Sequence, residues 1–182
     1  MLTRIITGLV GIAAAIAIIT KGGVVFSAAV LVLALVGWHE YHKMAASKGY
    51  NVYPLTSGLG SLLIVGMAAL GYYVEMEQVF VLAFITMLTA LFAIFGAIEG
   101  LWRHCHCEGE NWLMDTALSV WGMVYCGLLF AHVILLRTFD GGPHIDLGFR
   151  VFEYGEICLW VVLLGTWASD TFAYFLDRKS VV

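Results

Sequence analysis

The sequence predicts an all-α fold, a polytopic transmembrane helical bundle of about six spans. Three observations lead there. Of the 182 residues, 62% are hydrophobic and only 12% charged, whereas charged residues make up about a quarter of a soluble domain. The mean hydropathy is +0.93. Apolar runs recur along the whole chain with short polar breaks and no strand-like alternation, and lipid tolerates no open sheet edge, so the spans are helical. With two prolines, no low-complexity tract and no internal repeat, residues 1–182 read as a single transmembrane domain.

A helix needs about 20 apolar residues to cross the hydrocarbon core. The first part of the chain, 5–20 and 24–38, offers two shorter pieces separated by Thr20-Lys21-Gly22-Gly23. They read as two short helices joined by a tight turn, with Lys21 snorkelling to the interface. A helical hairpin that stops short of crossing fits the same residues. The N-terminus has the look of a secretory leader, but no small-residue cleavage site precedes the second apolar run, so an uncleaved first segment fits better. Segments at about 55–74, 78–100, 113–136 and 156–176 each meet the length required.

With six spans and the N-terminus inside, the cytoplasmic side collects Arg4, Lys43, Lys48, Arg103, Arg178 and Lys179, and the outside only Lys21, Arg137 and Arg150. The excess of basic residues on one side favours this orientation. The net charge is −4 and Lys and Arg are scattered singly, which leaves no basic stripe for nucleic acid.

Asp170 is the first candidate for chemistry. It lies in Trp167-Ala168-Ser169-Asp170-Thr171-Phe172-Ala173-Tyr174-Phe175, where the last apolar run nears its cytoplasmic end. A carboxylate at membrane depth is costly and marks a functional site by default. On a helix, Asp170, Ala173, Tyr174, Asp177 and Arg178 share one face. A carboxylate, a phenol and a guanidinium on one stripe suit a hydrated divalent metal and a phosphate. A single buried Asp satisfied by Ser169, Thr171 or another helix for packing is the competing explanation.

Other polar clusters carry less. Trp38-His39-Glu40-Tyr41-His42-Lys43 ends the second apolar piece and resembles an interfacial belt, with a substrate-facing Glu40 as the alternative. Glu99 stands at the end of a long run between Gly96 and Gly100, whose spacing permits close helix contact, and is expected at the interface. His104-Cys105-His106-Cys107 is too tightly spaced for a usual zinc site, and no second pair faces it. Asp140-Gly141-Gly142-Pro143-His144 reads as a turn. Cys126 and Cys158 lie in apolar runs and pack as small hydrophobes, so no disulfide framework is expected.

The string Trp167-x-x-Asp170-x-x-Ala173-Tyr174, with Arg178 following, resembles the CDP-diacylglycerol synthase (phosphatidate cytidylyltransferase) family. Thr116 to Tyr125 and Leu135-Leu136-Arg137 resemble the preceding helix of that family. The resemblance implies an integral enzyme, in a bacterial inner (plasma) membrane, that condenses CTP with phosphatidate using Mg²⁺ and releases pyrophosphate. It implies that Asp170 is catalytic and binds the metal, and that Ser169, Tyr174 and Arg178 contact substrate at the cytoplasmic face. Two departures stand out. The family's Gly before the Arg is Asp177 here, and the Ser-Pro-Lys-Lys-Thr-like loop and C-terminal signature of the family are absent from these residues. The chain therefore reads as the N-terminal part of such an enzyme, its partners being CTP, phosphatidate, the bilayer and either a second copy or a missing C-terminal half. A noncatalytic membrane partner or relic of the family is the alternative. A small transporter would call for paired half-repeats, which are not seen.

Overall fold

The structure, a computed structural model, describes residues 2–107, 111–146, 148 and 150–179, and omits the side chains of 2–5, 107 and 177–179. Among the described residues the chain forms helices α1 (Leu2–Lys21), α2 (Gly23–Ser47), α3 (Leu55–Tyr73), α4 (Gln78–Cys107), α5 (Trp112–Arg137) and α6 (Tyr154–Lys179). Five, α2 to α6, are long and apolar enough to cross a membrane, and α1 contributes a shorter apolar stretch, Ile6–Lys21. The chain divides into two compact units, Met1–Leu135 and Leu136–Val182.

In the first unit, α1 ends at a two-glycine break. Gly22 has φ 59° and ψ −154°, and Gly23 has φ 53°. The first of these is a backbone region that essentially only glycine occupies, so the tight turn expected at Lys21-Gly22-Gly23 is present. The second helix, however, does not stop at residue 38. It runs on to Ser47, because Phe26, Val30, Ala34, Tyr41 and Ala45 keep one face buried while His39, Glu40 and Lys43 lie on the exposed face. The polar cluster is therefore the outer side of a continuing helix rather than its end. Gly49, at φ 82°, closes α2, and the Tyr50 N–H reaches back to the Ala45 carbonyl at 3.2 Å, the arrangement of a Schellman cap.

α3 is the most enclosed helix, with 44% of its apolar window buried, and it packs against α2, α4 and α5. The core is formed by Ile64, Val65 and Ala68 of α3, Val81 and Ile85 of α4, and Met123, Cys126 and Ala131 of α5. Two π-helical turns interrupt the regular winding, Leu55–Leu59 at the start of α3 and Val124–Leu128 within α5. In the second, Gly127 lies so close to α3 that a Cβ would stand 2.7 Å from Ser61 Cα. Hydroxyls in this apolar core are satisfied by carbonyls one turn back: Ser57 donates to Tyr53 at 2.7 Å, Ser61 to Ser57 at 2.5 Å and Ser119 to Asp115 at 2.6 Å. In a medium without water such bonds remove a cost that is otherwise several kcal/mol per group.

In the second unit, the segment between α5 and α6 carries a short antiparallel pair, β1 (Ile145–Asp146) and β2 (Val151–Phe152), in register Ile145 to Phe152. Its turn is held by the Gly148 N–H donating to Asp146 Oδ1 at 2.8 Å, with Gly148 at φ 79°. Glu156, in the first turn of α6, is fully buried. Arg150 Nη2 donates to its Oε2 at 2.9 Å, Arg137 Nη2 lies 3.8 Å from the same oxygen, and Trp160 Nε1 donates to Oε1 at 3.4 Å. Arg137 also pairs with Glu153. A buried carboxylate is tolerable only when paired and hydrogen-bonded in this way. Beyond that knot α6 is bare, with only 6% of its apolar window buried.

Candidate active site

Asp170 lies in the fifth turn of α6. Ser169, Asp170 and Tyr174 are all exposed. Asp170 and Tyr174 stand one turn apart, and the Tyr174 ring meets Phe175 edge-on at 5.9 Å between centroids. The neighbouring hydroxyls are turned inward along the helix: Thr171 donates to the Trp167 carbonyl at 2.7 Å and Thr166 to that of Val162 at 2.9 Å. Neither therefore serves Asp170, which makes no side-chain hydrogen bond or ion pair among the described residues. The side chains of Asp177 and Arg178 lie outside the described residues, so the cation expected on this stripe is not placed.

Among the described residues no three His, Cys, Asp or Glu side chains gather as a metal cluster. His104 and His106 turn to different rings instead. His104 stacks on Trp112 at 5.1 Å, and His106 stacks on Trp102 at 4.3 Å while its Nδ1 lies 2.9 Å from the Trp102 carbonyl. Cys105, Cys126 and Cys158 are free thiols.

A second polar cluster, in the first unit, joins α3, α4 and α5. Glu99 is engaged within the protein. Its side chain is only 13% exposed, Thr56 donates to its Oε2 at 3.1 Å, and Arg103 donates through Nε and Nη2 to its Oε1 at 3.3 and 3.0 Å. The Arg103 guanidinium lies over the Tyr53 ring, 4.8 Å from its centroid, a cation–π contact. Tyr53 is held in turn, its N–H donating to Ser119 Oγ at 2.8 Å, and Asn51 N–H donates to Asp115 Oδ1 at 2.9 Å. Gly96 and Gly100 make the cluster possible, since a Cβ on either would strike Thr56 or Thr116. The i, i+4 spacing of Glu99 and Arg103 is a pairing readable from sequence. The part played by Thr56 and Tyr53 is not, because it depends on how α3 crosses α4.

The sequence matches the cytidylyltransferase family over residues 2–178. It is 26% identical over 189 residues to a phosphatidate cytidylyltransferase of Synechocystis sp. (strain ATCC 27184 / PCC 6803 / Kazusa), covering 96% of this chain and 60% of that protein. The chain thus spans about three fifths of the length of the curated relative it matches. No solved structure matches. A match running from the first turn of α1 to the last turn of α6 takes in the whole helical array and the Asp170 motif, and the chain belongs to the cytidylyltransferase family.

Proposed function

We propose that this chain forms part of a membrane phosphatidate cytidylyltransferase, joining CTP to phosphatidate to give CDP-diacylglycerol and pyrophosphate in phospholipid biosynthesis. The observation that supports this most directly is the family match across residues 2–178, which includes a carboxylate left free near the end of an apolar helix. In the reaction a phosphate oxygen of phosphatidate bonds to the α-phosphorus of CTP while the bond from that phosphorus to the bridging α–β oxygen breaks, and pyrophosphate departs with the electron pair. There is little covalent work for a protein in such a transfer. Charge neutralisation and alignment supply most of the rate.

Asp170 is the residue assigned to metal and nucleotide binding, with Ser169 and Tyr174 lining the same patch and Arg178 meeting phosphate. A single exposed carboxylate fits Mg²⁺, which takes one or two protein carboxylates and leaves its other positions to phosphate oxygens and water. When bound there, Mg²⁺ would neutralise charge on the nucleotide phosphates. The placement also suits the substrates, because a helix end in an inward-facing leaflet meets a lipid phosphate from the membrane and CTP from the cytosol. In this reading the N-terminus is cytoplasmic and the membrane is the bacterial inner membrane.

The second reading is a noncatalytic membrane partner or relic of the family. A single assay separates the two. The purified chain in detergent is supplied with CTP, Mg²⁺ and phosphatidate, and CDP-diacylglycerol is measured beside an Asp170→Asn variant. Turnover that vanishes in the variant, with insertion and monodispersity unchanged, supports the enzyme. Equal turnover in the variant overturns the site assignment. No turnover from a folded, monodisperse chain supports a subunit that needs its complement.

A further inference from the structure

Leu55 and Leu59 of α3 and Leu91, Phe92 and Phe95 of α4 line an open apolar groove of about 410 Å³. Leu55, Leu59, Leu91 and Phe95 are all exposed along it. Past the groove's lining, Glu99 and then Arg103 follow Leu91 and Phe95 at four-residue spacing along α4. The depth is right for a lipid. Glu99 follows Gln78 by 21 positions, about 31 Å at 1.5 Å per residue, close to the ~30 Å of a hydrocarbon core. Leu91 to Phe95 therefore lie within one leaflet, and Arg103, a turn past Glu99, stands at headgroup level.

The cluster around Arg103 also has the form of a prepared phosphate contact. Glu99 and Tyr53 fix the guanidinium from one edge and one face, while Nη1 makes no contact among the described residues and 42% of the side chain is exposed. Arg presents a planar fork suited to phosphate oxygens, and one pinned in advance loses little entropy on binding.

From this we infer that the α3–α4 groove binds a glycerophospholipid of the bilayer, with an acyl chain along Leu55, Leu59, Leu91, Phe92 and Phe95 and the phosphate at the free edge of Arg103. Binding there needs no turnover. In the proposed orientation it opens to the cytoplasmic leaflet.

The test measures lipid binding to the full chain in detergent by native mass spectrometry and by lipid-dependent thermal shift. The probes are phosphatidylglycerol, diacylglycerol with the same acyl chains, and inorganic phosphate. Phosphatidylglycerol should bind, and the other two should bind about tenfold or more weakly, because each supplies only half the contact. Arg103→Gln should weaken phosphatidylglycerol about tenfold. Leu91→Trp, a surface change that fills the groove without touching the polar cluster, should do the same, and Val32→Trp on the exposed side of α2 should not. Equal binding of phosphatidylglycerol and diacylglycerol, tight binding of inorganic phosphate alone, or undiminished binding by Leu91→Trp would each overturn the proposal. The Asp170→Asn variant should retain the lipid, so failure of the catalytic reading leaves this result untouched.

Discussion

Ser119 shows how much one hydroxyl does in this core. It is fully buried, donates to Asp115 O and accepts the Tyr53 N–H at 2.8 Å. Replacing it with Ala leaves that N–H unpaired in an apolar surrounding, at a cost of about 1–3 kcal/mol. Thermal unfolding of Ser119→Ala in detergent should show the loss, whereas Thr86→Ala, whose exposed hydroxyl bonds only within its own helix, should unfold like the parent. Single residues were legible in the sequence when their partners were local. Asp170 stands out because a carboxylate in an apolar run is rare, and the Glu99–Arg103 pair follows from helical spacing. Thr56 and Ser119 look like ordinary hydroxyls in a line of sequence, and their partners lie 43 and 66 positions away.

At the scale of the element, the π-helical turn in α5 and the start of α3 meet at Gly127. A Cβ there would press on the Ser61 backbone, which cannot turn aside as a side chain can. Gly127→Val should therefore cost at least the ~1–3 kcal/mol typical of overpacking. Gly66 in α3 has nothing within 4 Å of a Cβ, so Gly66→Ala should be neutral or stabilising by up to about 1 kcal/mol through helix propensity. Comparing the two melting curves checks that close approach, and not glycine content, sets the tolerance. Four of the long helices were legible from apolar length alone. The end of α2 was not, because a run of hydropathy stops at the first polar cluster while a buried stripe can continue beneath it. The two π-helical turns leave no mark on hydrophobic periodicity that a reader could separate from noise.

For the molecule as a whole, connectivity makes a statement about sidedness. If α5 crosses once, as its length and hydropathy allow, the end of α4 and the segment between α5 and α6 face opposite sides of the membrane. Cys105 is exposed, and His144 is half-exposed in that segment. In sealed inside-out vesicles, an impermeant maleimide should label Cys105, while a cysteine introduced by His144→Cys in a background lacking Cys105 and Cys107 should react only after the membrane is opened. The reverse pattern would overturn the proposed N-terminus-inside orientation. Fold class was plain from composition because few charges and long apolar runs admit little else. The buried knot of Arg137, Arg150 and Glu156 was not, since loop charges seen in sequence give no sign of whether water or a carboxylate will receive them.

The glycine break after α1 has a consequence for the membrane itself. The uncharged run of that helix, residues 5–20 between Arg4 and Lys21, is 16 residues and about 24 Å long, and Gly22 with Gly23 ends it at a fixed point. In a crossing α1 that run is about 6 Å shorter than the ~30 Å hydrocarbon core, and tilting only worsens the shortfall. Snorkelling of Arg4 and Lys21 and compression of the neighbouring acyl chains share the difference, at a fraction of a kcal/mol per ångström. Bilayer elasticity thereby becomes part of the conformational energy of this protein, and the thickness of the host membrane is a variable its N-terminal helix can feel.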